Sequence, residues 1–346
     1  MDNNTRYLNI IKKLNLQEEN SISEALKKKG LYSASETFPL SAIHFELTYR
    51  CNAFCRHCYN NSGVGEDVVS PDNWIEFSNY LVSKGGVFEC LLSGGEPFIL
   101  GDKLFEIMDI FHEDGSIFML MSNGSLITEN IAERLKKYRY HWLQLSIDGP
   151  DEEYHDWFRN CKGLWKKAIN AAKVLSKREI PLKIACCITP YNLEKTKLMF
   201  MLAKDLGASS IIVGEVSLSG RTNANRDFLL SDEQREKLWD LVGEAKASYG
   251  GSMLIKTSNK VKRGLEKHSE NPRSCVVIRP NGDIRIDGMA PFVIGNILRD
   301  DFESVWNDKI DSCWQDERVR QFISGFNDDD RNFEYVNFYD KDIYLK

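Results

Sequence analysis

The sequence predicts an α/β protein: a partial (β/α)6 barrel with a smaller α+β region after it. Between residues 41 and 220, six short apolar segments bounded by Gly, Pro, Asn or Asp alternate with helical patterns. Alternation of this kind is typical of a parallel sheet with right-handed crossovers. Six units in about 180 residues fall short of a complete eight-stranded barrel. Beyond Gly220 we expect the alternation to stop.

Each element of the predicted barrel has its own local signal. The strands are short apolar runs and are predicted at Ile43–Thr48, Val87–Leu92, Ile117–Met121, Trp142–Ile147, Leu182–Thr189 and Ser210–Val216. The segments between them have helical periodicity, and helices are predicted at Asp72–Ser83, Asp102–His112, Glu129–Lys137, Leu164–Lys177 and Leu193–Leu206. Pro71 suits the first position of the first of these helices.

Two regions flank the predicted barrel, which gives three domains: 1–40, 41–220 and 221–346. Residues 1–40 are polar and lysine-rich with two short helical patterns, which indicates an N-terminal helical extension that packs on the barrel or docks a partner. Residues 221–346 combine a helix after Ser231, a strand-like segment at Met253–Thr257 and a hairpin around Pro-Asn-Gly at 280–282.

Composition excludes several classes of protein. The formal net charge of −6 argues against nucleic acid or an anionic membrane as the main partner. No apolar run approaches the ~20 residues of a membrane span, and the N-terminus lacks the apolar core of a signal peptide, so we expect a cytoplasmic protein. The odd count of nine cysteines argues against a disulfide framework.

Three of the nine cysteines lie within eight residues. Cys51, Cys55 and Cys58 occur in CNAFCRHC, directly after the first predicted strand and therefore at the face of a barrel where active sites lie. Three thiolates on a [4Fe-4S] cluster leave one iron open to bind a small molecule, whereas four ligands close it. Two alternatives remain at this point: zinc held by the three cysteines and His57, or buried cysteines without a metal.

A glycine pair follows the second predicted strand. Gly94 and Gly95, in SGGEP, permit close approach of backbone to a ligand. Together with CNAFCRHC, this motif resembles the radical S-adenosylmethionine (radical SAM) superfamily over about residues 42–220. The resemblance implies one [4Fe-4S] cluster held by Cys51, Cys55 and Cys58. It also implies S-adenosylmethionine, its reductive cleavage, abstraction of a substrate hydrogen, and a low-potential electron donor such as flavodoxin or ferredoxin.

The resemblance further assigns residues around S-adenosylmethionine. Gly94, Gly95 and Glu96 match the motif for the methionyl amino group. Ser122 and Asn123 would lie near the ribose or carboxylate, and Ser146 and Asp148 near the nucleoside. Arg159 would bind the methionyl carboxylate, which suits the fork of a guanidinium group. Turn, cap or surface ion-pair roles are the alternatives for these later positions.

The region after the barrel resembles the SPASM/twitch accessory domain of peptide-modifying members. The likeness lies in Arg279–Ile284 and in Ile294–Trp306. That domain uses several cysteines for auxiliary clusters, but only Cys275 and Cys313 follow Cys187 here. Because a cluster normally takes four cysteine ligands, we expect the accessory fold without an auxiliary cluster.

Without an auxiliary cluster, a redox-neutral outcome becomes more attractive than a net oxidation. The spare thiols Cys161, Cys187 and Cys275, with Cys186 beside them, are then candidate hydrogen donors, although structural burial is the commoner role. The sequence favours an enzyme that epimerises or cross-links a ribosomally made peptide. The alternatives are a radical SAM enzyme for a small molecule such as an aminosugar or alcohol, and a non-catalytic iron–sulfur or zinc protein.

Overall fold

The computed structural model describes residues 40–258, 261–326 and 342–345, and one sheet organises them. Its strands are β1 (Leu40–Glu46), β2 (Val87–Ser93), β3 (Ile117–Ser122), β4 (Tyr140–Ser146), β5 (Leu182–Ile188), β6 (Ser210–Glu215), β7 (Leu254–Thr257), β8 (Val277–Ile278), β9 (Asp283–Arg285), β10 (Phe292–Asn296) and β11 (Ile343–Tyr344). Their order in the sheet is β11-β10-β9-β8-β1-β2-β3-β4-β5-β6-β7. Strands β1 to β7 are parallel, as expected of a partial barrel.

Helices connect the parallel strands and extend into the C-terminal region. They are α1 (Pro71–Lys84), α2 (Asp102–Asp114), α3 (Glu129–Leu135), α4 (Glu152–Arg159), α5 (Leu164–Ser176), α6 (Thr196–Asp205), α7 (Asp232–Tyr249), α8 (Val261–Glu270), α9 (Phe302–Lys309) and α10 (Glu317–Ser324). The predicted α/β class and the six predicted strands are confirmed. Helices α4, α8 and α10 were not predicted, because each is short and mostly polar.

The parallel sheet continues one strand beyond the expected end at Gly220. Helix α7 leads into β7, which pairs in parallel with β6. Leu238, Val242 and Ala245 bury one side of α7 at spacings of four and three residues, so this helix packs like those of the barrel. The surrounding polar residues hid that pattern in the sequence. Where the domain boundaries lie stays a prediction, and the extension 1–40 lies outside the described residues except for Leu40.

The C-terminal hairpin joins the sheet next to β1. Strands β8 and β9 are antiparallel around the predicted Pro-Asn-Gly turn. Strand β8 pairs in parallel with β1, with His44 opposite Val277 and Phe45 opposite Ile278. The strand that precedes the cysteine motif is therefore flanked on both sides.

The core lies between the sheet and the helices on its outer face. Phe45 of β1 packs on Trp74 and Phe77 of α1, with ring centroids 5.2 and 6.0 Å apart. Burial of such side chains contributes roughly 1.5–3 kcal/mol each. Within the described ranges, no helix is long and apolar enough to cross a membrane.

Candidate active site

A cavity of about 300 Å³ opens at the carboxyl ends of the parallel strands. All six predicted strands, or the loops that follow them, contribute to its wall. Its lining includes Cys51, Cys55, His57, Cys58, Gly94, Gly95, Ser122, Asn123, Ser146, Asp148, Arg159, Cys187 and Met289. Parallel strands end at a common face, which explains why residues far apart in sequence meet here. The volume is at the lower end of the range for drug-sized ligands.

Cys51, Cys55 and Cys58 lie together in the segment 47–70, which we call the cysteine loop. Asp67 holds the start of this loop, since its carboxylate accepts hydrogen bonds from Thr48 Oγ1 and the Tyr49 amide, both at 2.6 Å. Cys55 is buried, and the other two cysteines are partly exposed. Burial raises the pKa of Cys51 to about 12, so binding a metal there requires the metal to displace the thiol proton.

The glycine pair is required by the cysteine loop. A Cβ at Gly95 would lie 2.0 Å from the Arg50 carbonyl oxygen, and one at Gly94 would lie 2.7 Å from that of Thr48. Gly94 also has φ +139°, which L side chains rarely adopt. The Gly95 amide donates to the Thr48 carbonyl at 2.6 Å. The glycines therefore let the loop after β2 pack directly on the cysteine loop while both line the cavity.

Glu96 lies behind the cavity wall rather than on it. Its carboxylate accepts hydrogen bonds from Ser122 Oγ at 2.9 Å, the Asn123 amide at 2.8 Å and the Phe98 amide at 3.3 Å. Burial raises the pKa of Glu96 to about 7 despite these donors. The side chain thus ties the loop after β2 to the loop after β3. Among the three residues predicted at the methionyl amino group, the cavity lining contains Gly94 and Gly95.

Ser122 and Asn123 lie on the wall next to the first cysteine. The Asn123 Nδ2 donates to Asn52 Oδ1 at 2.9 Å and lies 3.9 Å from the Cys51 sulfur. Ser122 is also buried, and its hydroxyl accepts from the Gly124 amide at 2.9 Å. These contacts fix the third loop against the cysteine loop and leave both residues at the cavity.

Asp148 and Arg159 form a buried ion pair. Arg159 Nε donates to Asp148 at 2.6 Å, and Arg159 Nη1 lies 3.7 Å from the Cys55 sulfur. Burial alone would raise the pKa of Asp148, but Arg159, followed by His57, lowers it overall. The other Asp148 oxygen accepts from the Cys187 amide at 2.8 Å, so this carboxylate joins three elements. A positive charge is thereby held beside a predicted cluster ligand.

His57 faces Asp148 and packs on Phe158. Its ring stacks on Phe158 with centroids 3.9 Å apart, and its Nε2 lies 3.8 Å from Asp148. Burial lowers the pKa of His57 to about 3, which keeps the imidazole neutral. Among the described residues, its Nδ1 is one of the buried atoms with no hydrogen-bond partner. An orphaned donor or acceptor at a cavity wall fits a polar ligand in that cavity.

The three cysteines of the loop and His57 are not spaced as the ligands of a single zinc ion would be. A zinc ion with Zn–S bonds of ~2.3 Å needs sulfurs within about 4.6 Å of one another. Among the described residues, His57, Asp148 and Cys187 are the group of at least three His, Cys, Asp or Glu side chains whose ligand atoms all lie within 4.8 Å of one another. The three cysteines of the loop do not form such a group with His57.

The spare cysteines occupy different places. Cys187 lies on the cavity wall, while Cys186, the preceding residue of β5, packs in the main core. Cys161 packs beside the cysteine loop, with its sulfur 3.6 Å from the Asn52 carbonyl oxygen. Cys275 precedes β8, and burial raises the pKa of its thiol to about 12. Of the predicted hydrogen donors, the cavity lining contains Cys187.

Three residues lie at or against the cavity although the sequence does not predict that position for them: His57, Met289 and Arg221. His57 was considered as a zinc ligand, and its position between two cysteines was the signal for a site role. Met289 reaches the cavity from the C-terminal region, and Arg221 contacts the cysteine loop from beyond β6. No local sequence signal marks either residue, because both meet the site through tertiary packing alone.

Comparisons with known proteins agree with this geometry. The sequence profile of the radical SAM superfamily matches residues 45–203. The chain is 28% identical to the AdoMet-dependent heme synthase of Methanosarcina barkeri over 76% of this chain and 81% of that protein. It is 28% identical to the antilisterial bacteriocin subtilosin biosynthesis protein AlbA of Bacillus subtilis, over 83% of this chain and 64% of AlbA.

Two further similarities concern the family and the fold. The mycofactocin maturase MftC of Mycolicibacterium smegmatis is 30% identical over 76% of this chain and 69% of MftC. The structure of Streptococcus suis SuiB bound to S-adenosylmethionine superposes with a TM-score of 0.66 over 90% of this chain and 78% of SuiB, at 16% identity. This protein is therefore a radical SAM enzyme, a member of the superfamily whose chemistry uses a [4Fe-4S] cluster and S-adenosylmethionine.

Proposed function

We propose that this enzyme modifies a ribosomally made peptide, with the cluster held by Cys51, Cys55 and Cys58. One observation carries the assignment of the site: a single cavity brings together the three cysteines, the glycine pair and the buried Asp148–Arg159 pair. Three cysteines leave one iron without a protein ligand. When bound, the cluster and S-adenosylmethionine supply a 5′-deoxyadenosyl radical through one-electron cleavage of the S–C5′ bond.

The chain's own residues bind and orient the cofactors. Gly94 and Gly95 line the cavity and would present backbone to the methionyl group, while the lack of side chains lets that backbone pack on the cysteine loop. Arg159 offers its remaining guanidinium donors to the methionyl carboxylate while Asp148 fixes the orientation of its Nε edge. On the cavity wall, Ser122 and Asn123 supply polar groups for the ribose or carboxylate, and Ser146 and Asp148 supply them for the nucleoside.

A peptide substrate is supported by the C-terminal region and by the relatives. The hairpin at β8 and β9 has the sequence likeness to the accessory domain of peptide-modifying members, and Met289 after it reaches the cavity. AlbA is a bacteriocin biosynthesis protein and MftC a maturase. We therefore favour epimerisation or cross-linking of a peptide, with electrons from a low-potential donor such as flavodoxin or ferredoxin.

A small-molecule substrate is the second candidate. The similarity to a heme synthase, which covers 81% of that protein, favours this alternative specifically. The cavity volume of about 300 Å³ suits a small substrate or one side chain of a peptide. The two functions differ in what must enter the cavity: a whole molecule, or a residue of a longer chain.

Cys187 is the thiol we propose as hydrogen donor if the reaction is an epimerisation. It lies on the cavity wall, and burial raises the pKa of its thiol to about 12, so it keeps its hydrogen at neutral pH. A carbon radical can take that hydrogen, and the thiyl radical that remains must gain one electron from the electron donor and one proton from solvent before the next turnover. Cys161 and Cys275 are the weaker candidates.

The test is anaerobic assay of the reconstituted protein with S-adenosylmethionine and a strong reductant. Wild type and Cys313→Ala, which changes a buried cysteine outside the cavity, should release 5′-deoxyadenosine. Cys55→Ala should release none above background. Equal release from Cys55→Ala would refute the cysteine assignment.

The substrate class is tested with the same preparations in heavy water. Candidate peptides and candidate small molecules are supplied separately, and products are analysed by mass spectrometry and for stereochemistry. A peptide that gains deuterium or loses hydrogen supports the proposal. Turnover of a tetrapyrrole, aminosugar or alcohol with no turnover of any peptide would establish the second candidate instead.

A further inference from the structure

The segment 219–225, which begins four residues after the end of β6, packs along the cysteine loop. We call it the clamp. The Ser219 hydroxyl donates to the Tyr59 carbonyl at 2.8 Å, and the Arg221 amide donates to the Cys58 carbonyl at 3.0 Å. The Asn225 side chain donates to the Arg56 carbonyl at 3.2 Å. The clamp thus contacts the loop on both sides of its last cysteine.

Arg221 makes the densest set of these contacts. Its Nε donates to the Cys55 carbonyl at 2.6 Å, and its Nη1 donates to the Ser62 carbonyl at 2.8 Å. The guanidinium also lies 3.8 Å from the Phe54 ring centroid, within the range of a cation–π contact. One planar group therefore fixes backbone before and after Cys58, and its fork matches two carbonyls that a single ammonium could not reach together.

Gly220 shows how tightly the clamp fits. It has φ +56°, and a Cβ there would lie 2.3 Å from the Cys58 carbonyl oxygen and 2.6 Å from that of Tyr59. Close approach of two backbones explains the glycine. The contact is therefore built into the backbone path and does not depend on one rotamer of Arg221.

A second arginine reaches the same loop from the C-terminal hairpin. Arg279 Nη2 donates to Asn60 Oδ1 at 2.9 Å, and Arg279 Nε lies 3.4 Å from Glu46 at the end of β1. The side chains of Arg279 and Glu46 are 2% and 1% exposed. The next residue, Pro280, accepts hydrogen bonds from the amides of Val68 and Val69 at 2.9 and 2.8 Å. The hairpin turn thereby holds both the middle and the end of the cysteine loop.

We propose that Arg221 and Arg279 are positioning residues that brace the cysteine loop in the shape that receives the cluster. Arg221 contacts the backbone carbonyls of Cys55 and Ser62, and Arg279 contacts the Asn60 side chain and Glu46 at the end of β1. Both therefore act on the shape of the loop and not on the cluster directly. This gives the cysteine-poor C-terminal region a role that needs no auxiliary cluster. The inference depends on the proposed function only in taking the three cysteines as cluster ligands.

The first test measures the loop itself and needs no turnover. Hydrogen–deuterium exchange is followed by mass spectrometry on peptides covering residues 51–62, with protein purified anaerobically and again after iron chelation. Arg221→Met and Arg279→Met should speed exchange in these peptides about ten-fold, since each removes buried hydrogen bonds. Arg273→Met is the matched control, because Arg273 is also buried and paired, at 2.9 Å, but with Asp311.

The second test reports on the bound cluster. At equal iron content, the electron paramagnetic resonance spectrum of the reduced protein should change in Arg221→Met and Arg279→Met and stay unchanged in Arg273→Met. Arg221→Lys and Arg279→Lys keep the charge with a single donor group, so both readouts should fall between wild type and the methionine variants. These lysine variants serve as the test if a methionine variant does not fold.

The proposal is overturned if exchange in residues 51–62 matches wild type in the variants at both arginines. It is equally overturned if Arg273→Met produces the same increase, because the effect is then global loss of stability. If exchange in residues 51–62 is faster in the Arg221 and Arg279 variants but no peptide is modified in the activity assay, the result counts against the proposed substrate alone.

Discussion

Gly95→Ala tests how far the site depends on direct packing of the loop after β2 against the cysteine loop. An added Cβ would lie 2.0 Å from the Arg50 carbonyl oxygen, 2.6 Å from the Arg50 carbonyl carbon and 2.9 Å from the Tyr49 oxygen. Real Cβ atoms essentially never approach closer than 3.0 Å, so the loops must separate by about 1 Å. The obstructing atoms are backbone, and no side-chain rotation relieves the clash.

The expected cost follows from what the separation breaks. Overpacking of this kind costs typically 1–3 kcal/mol. The shift also strains the hydrogen bonds from the Gly95 amide to Thr48 at 2.6 Å and from the Glu96 amide to Arg50 at 2.9 Å, each contributing about 1 kcal/mol net. We therefore expect the free energy of unfolding to fall by about 2–4 kcal/mol, together with weaker retention of iron.

Urea unfolding and iron content after anaerobic reconstitution measure the two effects. Gly243→Ala is the matched control, because Gly243 lies on an exposed part of α7 and a Cβ there has no atom within 4 Å. That control should gain up to about 1 kcal/mol from helix propensity. If Gly95→Ala unfolds and binds iron like wild type, the packing argument for the glycine pair is refuted.

Three further predictions concern the cofactor and the site. Iron per chain after reconstitution should be about four, and a count clearly above that would contradict a single cluster. Asp148→Asn leaves Arg159 buried without its counter-charge and should cost about 3 kcal/mol in urea unfolding at pH 7. The pKa of Asp148 is lowered in the folded protein, so the stability that its charge contributes is fully present above pH 3.8, the ordinary pKa of an aspartate. The difference in unfolding free energy between wild type and Asp148→Asn should therefore shrink as the pH falls below 3.8. Equal stability of the two proteins at pH 7 would contradict the ion-pair argument. If the reaction is an epimerisation, Cys187→Ala should still cleave S-adenosylmethionine but lose the epimerised product, whereas Cys186→Ala, which changes a core residue, should keep both. Epimerised product from Cys187→Ala would eliminate Cys187 as the donor.

Local patterns in the sequence predicted the elements and the motif loops well. The six strands and the cysteine loop follow from short apolar runs and from cysteine spacing, both of which are readable over a few residues. The residues predicted at the cavity wall came together because parallel strands end at one face. Glu96, Cys161 and Cys275 lie outside the cavity lining, and Glu96 is held behind the wall by three donors that no local pattern indicates.

What could not be predicted depends on contacts between distant segments. Strand β7 joins the sheet because of its pairing with β6, and its four residues carry little signal alone. Arg221 and Arg279 are separated from the cysteines by more than 160 residues. From sequence alone an arginine is expected at the surface, and the burial of these two is evident only from the partner carbonyls and carboxylate that the fold brings to them.

The pairing of β8 with β1 also has a consequence for the order of assembly. His44 and Val277 are opposite each other although more than 230 residues separate them. During synthesis from the N-terminus, one edge of β1 must therefore stay open until the hairpin leaves the ribosome. An unpaired strand edge is a hazard for association with other chains. The part of the sheet from which the cysteine loop begins is thus completed late, only after residues 277 and 278 have been synthesised.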